Sequence, residues 1–506
     1  MTLDLGSSEL KVVIYDEDGN CLSSVTSEVG GVEAQGCRAD LNPERMWRSV
    51  RDGISAVHKS CHSTLRAAAI SSHGESFVPL DRNGQAVGNI LPNIDSRAGA
   101  EMKEFADAFG KGSLYRQTGL TPHPMYTLPK IAWIKKNQPA VFRQAANFGC
   151  MEDYILQRLG IERVIDSSLA SRTLGLDIHR NQWAEELLRF AGITPGQLSR
   201  VEPSGTPIGV AASGVAEELG LPPGVVWCTG GHDQACTSIG AGAQELGTLA
   251  DGTGTFECIS APLETPLLTE ASLDANLPCE RHALAGQFLT LAYVPGGISL
   301  KWLRDNCYRE RATQAIAEGK SAYDCMLADV PDSPTGLFFF PYLLGTGTPW
   351  LESETRSTIW GLSSSTTNQQ LIKAALEGMS FERRWNLEIL KSLGVHQNRI
   401  LAVGGGAKSE LLLQLKADIF QCPVVAVPGE ASSRGATICA GMGVNAYGNW
   451  KEAIAAMVKP GRVFEPRPAS TRQYQELFEQ YHALAPRLYG HRLWPGRPNS
   501  TKGSRI

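Results

Sequence analysis

The chain has 506 residues, 42% of them apolar, which suffices for two to four domains and for more than one buried core. Its 47 Lys and Arg against 52 Asp and Glu give a formal charge of -5 with no extended basic stripe, so nucleic acid is not expected as a ligand. No apolar run approaches the ~18 residues of a membrane span, acidic Asp4 interrupts any signal-peptide pattern, and twelve scattered cysteines without a C-x-x-C pair read as reduced thiols of a cytoplasmic protein.

In chain order, Leu10 to Tyr15 is rich in β-branched residues and Asp18-Gly19 supplies turn chemistry, which together predict a hairpin. Ala67 to Ser71 and Phe77 to Leu80, closed by Asn83-Gly84, predict a second unit of the same kind. From Met102 to Leu159 the pattern turns helical, with a loop marked by Pro and Gly between Gly119 and Pro129. Val225 to Thr229 is a buried-type strand that runs into Gly230-Gly231-His232-Asp233. The same grammar then begins again at Asp251-Gly252-Thr253-Gly254-Thr255, which suggests two related halves. Ile400 to Val403 leads into Gly404-Gly405-Gly406-Ala407 and a helix whose Leu412, Leu415 and Ile419 share a face. Val424 to Val427 and the small-residue helix Ala431 to Gly443 continue an α/β alternation. Residues 491–506 are basic and aperiodic and read as a tail.

Three glycine-rich turns stand at strand ends: Asp4-Leu5-Gly6-Ser7-Ser8, Gly252 to Thr255, and Gly404 to Ala407. Glycine there lets backbone N–H groups approach phosphate oxygens, and hydroxyl residues add donors. One such loop is ordinary turn chemistry; three together point to phosphate. No G-x-x-x-x-G-K-[ST] segment occurs and no G-x-G-x-x-G follows the first strand, which argues against a P-loop enzyme and a Rossmann dehydrogenase.

As an ordered set, Asp4-x-Gly6-Ser7-Ser8-x-x-Lys11, Asn93-Ile94-Asp95-Ser96-Arg97, Gly231-His232-Asp233, Gly252 to Thr255 and Gly404 to Ala407 resemble the FGGY carbohydrate kinases. Pro341-Tyr342-Leu343, Arg356 to Leu362, Ala375-Leu376-Glu377-Gly378 and Glu430-Ala431-Ser432 fall in the same order, so the resemblance spans about residues 1–480. It implies two ribonuclease-H-like domains of the actin and hexokinase type with a cleft between them. The expected boundaries are 1–241 for a sugar-binding and catalytic domain and 242–490 for a nucleotide-binding domain.

The resemblance further implies that ATP is contacted by Gly6, Ser7, Ser8, Lys11, Gly252, Thr253, Gly254, Thr255, Gly297, Gly404, Gly405, Gly406 and Ala407. Asp233 would take the proton of the attacking hydroxyl, and Asp4 with Asp233 would hold Mg²⁺, largely through water. The ordinary alternatives are an N-cap aspartate at Asp233, a turn aspartate at Asp4 and a solvated lysine at Lys11. His73, Glu75 and Asp95, together with Asp233, match the sugar-binding positions. At that turn His73-Gly74-Glu75 departs from relatives: the glycerol kinases carry an arginine where Gly74 stands, and its absence is expected to leave room for a bulkier acceptor. The expected partners are a sugar, sugar acid or polyol and ATP, with a homodimer as the candidate assembly. An actin-like ATPase or a sugar-responsive regulatory protein is the competing reading.

Overall fold

The computed structural model describes residues 1–6, 9–29, 31–61, 63–254 and 256–490; Ser7, Ser8, Thr255 and the tail 491–506 lie outside the described residues. Six strands form a first sheet: β1 (Thr2–Leu5), β2 (Glu9–Tyr15), β3 (Cys21–Glu28), β4 (Ala67–Ser72), β5 (Pro207–Val210) and β6 (Val226–His232), ordered β5-β6-β4-β1-β2-β3. A second sheet holds β7 (Thr248–Thr253), β8 (Glu257–Leu263), β9 (Cys279–Arg281), β10 (Phe288–Val294), β11 (Arg399–Gly404), β12 (Val424–Ala426) and β13 (Val463–Phe464), ordered β9-β10-β8-β7-β11-β12-β13.

Without the edge strands β5, β9 and β13, the two orders become β3-β2-β1-β4-β6 and β10-β8-β7-β11-β12. The first strand of each half has antiparallel neighbours on one side and parallel neighbours on the other. This is the ribonuclease-H-like arrangement that the family resemblance implies, duplicated as the repeated strand grammar predicts. Parallel strands are covered on both faces, and β4, with every residue buried, is built accordingly from Ala-Ala-Ala-Ile-Ser-Ser.

Helices cover both sheets. α1 (Pro43–Lys59) starts on Asn42, whose side chain accepts from the amides of Glu44 and Arg45, with Pro43 in the first turn. Its Met46, Val50, Ile54 and Val57 form one buried stripe against the first sheet. α2 (Asp233–Ala241) closes the first half, and in the second half α3 (Gly297–Cys307), α4 (Asn368–Ser392), α5 (Glu410–Phe420), α6 (Ala431–Gly443) and α7 (Pro468–Tyr489) follow in order. α4 opens on a capping box between Thr367 and Gln370 and runs through the largest apolar core. No helix among the described residues is long and apolar enough to cross a membrane.

Two local readings change. Phe77–Leu80 does not pair with β4 but with Asn147–Cys150, a strand inside the stretch whose periodicity reads as helical, and helix Thr127–Asn137 begins within the expected loop. β6 also runs on through both glycines to His232. At Gly230 any Cβ would overlap the carbonyl of Ile70 in β4, so the glycine marks a close backbone approach at a register irregularity, not a turn.

The halves are joined through α2 and α6. Gly240 lies against the Ala431 carbonyl and Gly435 against that of Cys236, where added Cβ atoms would collide, so small residues set a very short interhelical distance. α6 belongs to the second half by sequence, yet it packs on the first sheet: Thr437 meets Thr2 at 2.5 Å and Ser432 meets Ser71 at 2.6 Å between hydroxyl oxygens.

Candidate active site

Because β1, β4 and β6 are parallel neighbours, their carboxyl ends converge, which is where open α/β sheets bind ligands. Asp4 stands opposite Ser71, Ser71 opposite Gly231, and Ser72 opposite His232. Asp4 is half-buried, and its two oxygens accept from the hydroxyls of Ser432 (3.0 Å) and Ser433 (3.1 Å) on α6. Burial, then repulsion from Asp233, pushes its carboxyl up to about 6. Lys11, opposite Asp4 in β2, instead forms a 2.7 Å ion pair with Glu430, just before α6. No ion pair to Asp4 occurs among the described residues. Gly6 donates its amide to the Glu9 carbonyl and so closes the turn between β1 and β2.

Asp233 opens α2. The N-cap position is held by His232, and no side chain caps this helix, so Asp233 is not the N-cap aspartate of the ordinary alternative. Its carboxylate is 28% exposed and lies 3.2 Å from His232 Nε2. His232 Nδ1 is 2.8 Å from Glu280 of β9. Burial opposes charge on this imidazole, but Glu280 and Asp233 outweigh it and raise its pKa to about 9.

Around the His73-Gly74-Glu75 turn the structure adds a residue that sequence reading did not single out. Arg172 Nε donates to Glu75 Oε1 at 2.7 Å, and its Nη1 is 3.4 Å from Glu280 Oε2. All three side chains are buried. Burial works against charge on Glu75, yet Arg172 and His232 hold its pKa below the usual range. Glu75 itself has φ +66, and a Cβ on Gly74 would sit 2.8 Å from both Cβ and Cγ of Arg172. The space beside Gly74 is therefore filled by the Arg172 stem, and the expected room for a bulkier acceptor is not there. Tyr126 lies under the guanidinium at 5.7 Å.

His73 has its Nδ1 2.8 Å from the Leu5 carbonyl, and burial lowers its pKa. A neutral ring that donates there carries its lone pair on Nε2. Asp95 is fully buried and already engaged: it accepts from the Ala39 amide (2.7 Å), Arg97 Nε (2.7 Å) and the Arg97 amide (3.3 Å).

In the second sheet, where the sequence places the nucleotide loops, Thr253 at the end of β7 stands beside Gly404 at the end of the parallel strand β11. Gly404 (φ +82) leads into the turn Gly405–Lys408, which contains Gly406 and Ala407. Gly297 opens α3, and a Cβ on its neighbour Gly296 would come 2.5 Å from Glu257 Oε2. Beneath these loops lies a charged group that the sequence reading passed over. Lys416 Nζ donates to Asp251 Oδ2 (2.7 Å) and to Thr253 Oγ1 (2.8 Å), and Arg383 lies 3.4 Å from Asp251 Oδ1 while pairing with Glu257. All four charged side chains are essentially without solvent contact. Burial pushes the Glu257 carboxyl up to about 7 despite Arg383. Lys416 follows Leu412 by four residues, so a charge within that helix's apolar stripe was the available signal.

Duplicated halves with acids and glycine loops at their strand ends define an actin-like, two-domain phosphotransferase architecture. Residues 1–240 match the N-terminal domain of the FGGY family of carbohydrate kinases and residues 252–444 match its C-terminal domain, so the chain belongs to that family. It is 25% identical over 498 residues to the xylulose kinase of Staphylococcus epidermidis, covering 96% of this chain and 95% of that protein. It is 28% identical over 485 residues to the gluconokinase of Bacillus subtilis, covering 94% and 93%. Among solved structures, the ligand-bound xylulose kinase of Lactobacillus acidophilus superposes with a TM-score of 0.87 at 23% identity, covering 97% of this chain and 99% of that one. The gluconate kinase of the same organism gives 0.86 at 24% identity, covering 96% and 97%. These structures bear on the fold, and the family fixes the class of chemistry: a kinase acting on carbohydrate with ATP and an alcohol acceptor.

Proposed function

We propose that the chain transfers the γ-phosphoryl group of ATP to a hydroxyl of a neutral sugar or polyol, with Asp233 as general base. The observation that carries this reading is the Asp4–Asp233 pair at the converging ends of β1 and β6, where, among the described residues, neither acid forms an ion pair with a lysine or arginine. Asp233 takes the acceptor proton as its oxygen attacks the γ-phosphorus, the bond to the bridging oxygen breaks, and ADP leaves. His232, held by Glu280, lies beside the Asp233 carboxylate and fixes its orientation.

The donor set fits Mg²⁺, which takes one or two carboxylates, retains water and shares phosphate oxygens. Asp4 and Asp233 would hold it, and the ion would neutralise charge on the phosphates. Gly6, Gly252–Gly254, Gly297 and Gly404–Ala407 are the proposed nucleotide contacts. Acceptor hydroxyls are read by His73 and Glu75, and Asp95 holds Arg97 and the adjoining segment in place. Arg172 is paired with Glu75 and lies 3.4 Å from Glu280, so two carboxylates of the chain already offset its charge and leave it little net attraction for an acceptor carboxylate. This favours ketoses and polyols, the classes named by the xylulose and glycerol kinase relatives, over an aldonate. A coupled ADP-release screen across ketopentoses, polyols and aldonates tests it. Turnover with neutral acceptors is expected, and an aldonate as best acceptor would overturn the choice.

A further inference from the structure

We propose that Lys416 is a positioning residue of the nucleotide site, holding Thr253 so that the two glycine loops on either side keep their spacing. The proposal rests on reading Gly252–Gly254 and Gly404–Gly406 as nucleotide loops.

Thr253 is fixed on three sides. Its carbonyl oxygen faces Gly404, where a Cβ would come within 2.7 Å. Its methyl group lies against Gly406, where a Cβ would overlap it. Its hydroxyl accepts from Lys416 Nζ at 2.8 Å. A β-branched side chain has few χ1 choices. Turning this one by a third of a revolution moves the methyl off Gly406 and breaks the bond to Lys416. The amine therefore selects the rotamer that lets the Gly404–Gly406 turn close on β7.

An apolar residue of similar length could fill the same place on α5 without bringing a charge out of water. The ammonium is present at a desolvation cost, offset by Asp251 at 2.7 Å. What it adds over an apolar residue is a donor aimed at Thr253. Asp251 and Arg383 extend the network to Glu257, which lies under Gly296 at the third loop. Together with Thr253, this buried group thus reaches three of the four segments proposed to meet ATP, all but the turn at Gly6.

The test is ADP affinity, measured by titration calorimetry, which needs no knowledge of the acceptor. The double variant Lys416→Met/Asp251→Leu removes both members of the ion pair, and Thr253→Val removes the hydroxyl while keeping shape. Each is expected to weaken ADP binding about tenfold, the worth of a charge-assisted hydrogen bond. The triple variant should be no weaker than either, with melting temperatures of the ligand-free proteins near wild type. Thr253→Ser, which retains the acceptor, should bind close to wild type. Additive losses, or wild-type ADP affinity in Thr253→Val, would overturn the proposal, and that single variant decides the matter if the double variant does not fold. Gly404→Ala separates the underlying reading. If it leaves ADP binding intact, the loop assignment itself fails; if it abolishes binding while Thr253→Val does not, only the role of Lys416 fails.

Discussion

Asp4 and Asp251 occupy equivalent places, each near the carboxyl end of the first strand of its half, and their surroundings are opposite. Asp4 is held by two serine hydroxyls on a helix contributed by the other half. Asp251 is held by Lys416 and Arg383 from its own half. A partly desolvated acid without an ion-paired cation keeps a raised pKa and an appetite for an external cation, whereas an acid already paired has none to offer. Duplication thus yields one acid left open to an external cation, the proposed metal ligand, and one absorbed into the scaffold beneath the proposed nucleotide loops.

The sharpest way to break this contrast is at the chemistry. Asp233→Asn is expected to cut phosphoryl transfer by about 10² to 10⁴-fold while ADP still binds, as read by coupled turnover and calorimetry. Near-wild-type turnover in that variant would remove Asp233 as base.

Stability separates the two acids next. Lys416→Met alone strands Asp251 in a dry interior with Arg383 as its remaining partner, and breaking a buried pair in this way costs about 3–5 kcal/mol. Asp4→Asn removes a charge the fold disfavours, so urea unfolding should show no loss of stability while turnover disappears. Equal destabilisation by the two substitutions would erase the distinction.

Within the acceptor turn, Gly74→Ala forces a Cβ to 2.8 Å from the Arg172 stem. Overpacking of this sort costs about 1–3 kcal/mol, and the displaced guanidinium loosens Glu75. The expected result is a lower kcat/KM for the acceptor with unchanged ADP affinity. An unaltered acceptor profile would place Arg172 outside the pocket.

The smallest effect concerns pH. Glu382 resembles Asp4 in being held by hydroxyls, Tyr342 at 2.7 Å and Tyr481 at 2.6 Å, without a cation, and burial pushes it up to about 7. Its folded pKa exceeds the ordinary 4.5, so its stabilising contribution is complete below that value and is lost as pH rises through about 7. Glu382→Gln should therefore flatten part of the fall in melting temperature between about pH 5 and pH 8. A parallel fall in variant and wild type would show that this acid does not titrate with folding.

The sequence alone determined the features carried by short range: strand-end glycines, the acids beside them, the hairpin at Asp18-Gly19, the helix Ala431–Gly443, and the repetition that declares two halves. Their ordered spacing was enough for the family. Tertiary structure decided which charges meet. Arg172 reaches Glu75 across 97 positions, His232 reaches Glu280 across 48, and Lys416 reaches Asp251 across 165. Glycine at 74 looked like empty space because the atoms that fill it belong to a distant segment. Local pattern encodes backbone conformation and which face is apolar, whereas the pairing of buried charges depends on which elements the sheets bring side by side, and that is settled only when both halves have closed on their shared helices.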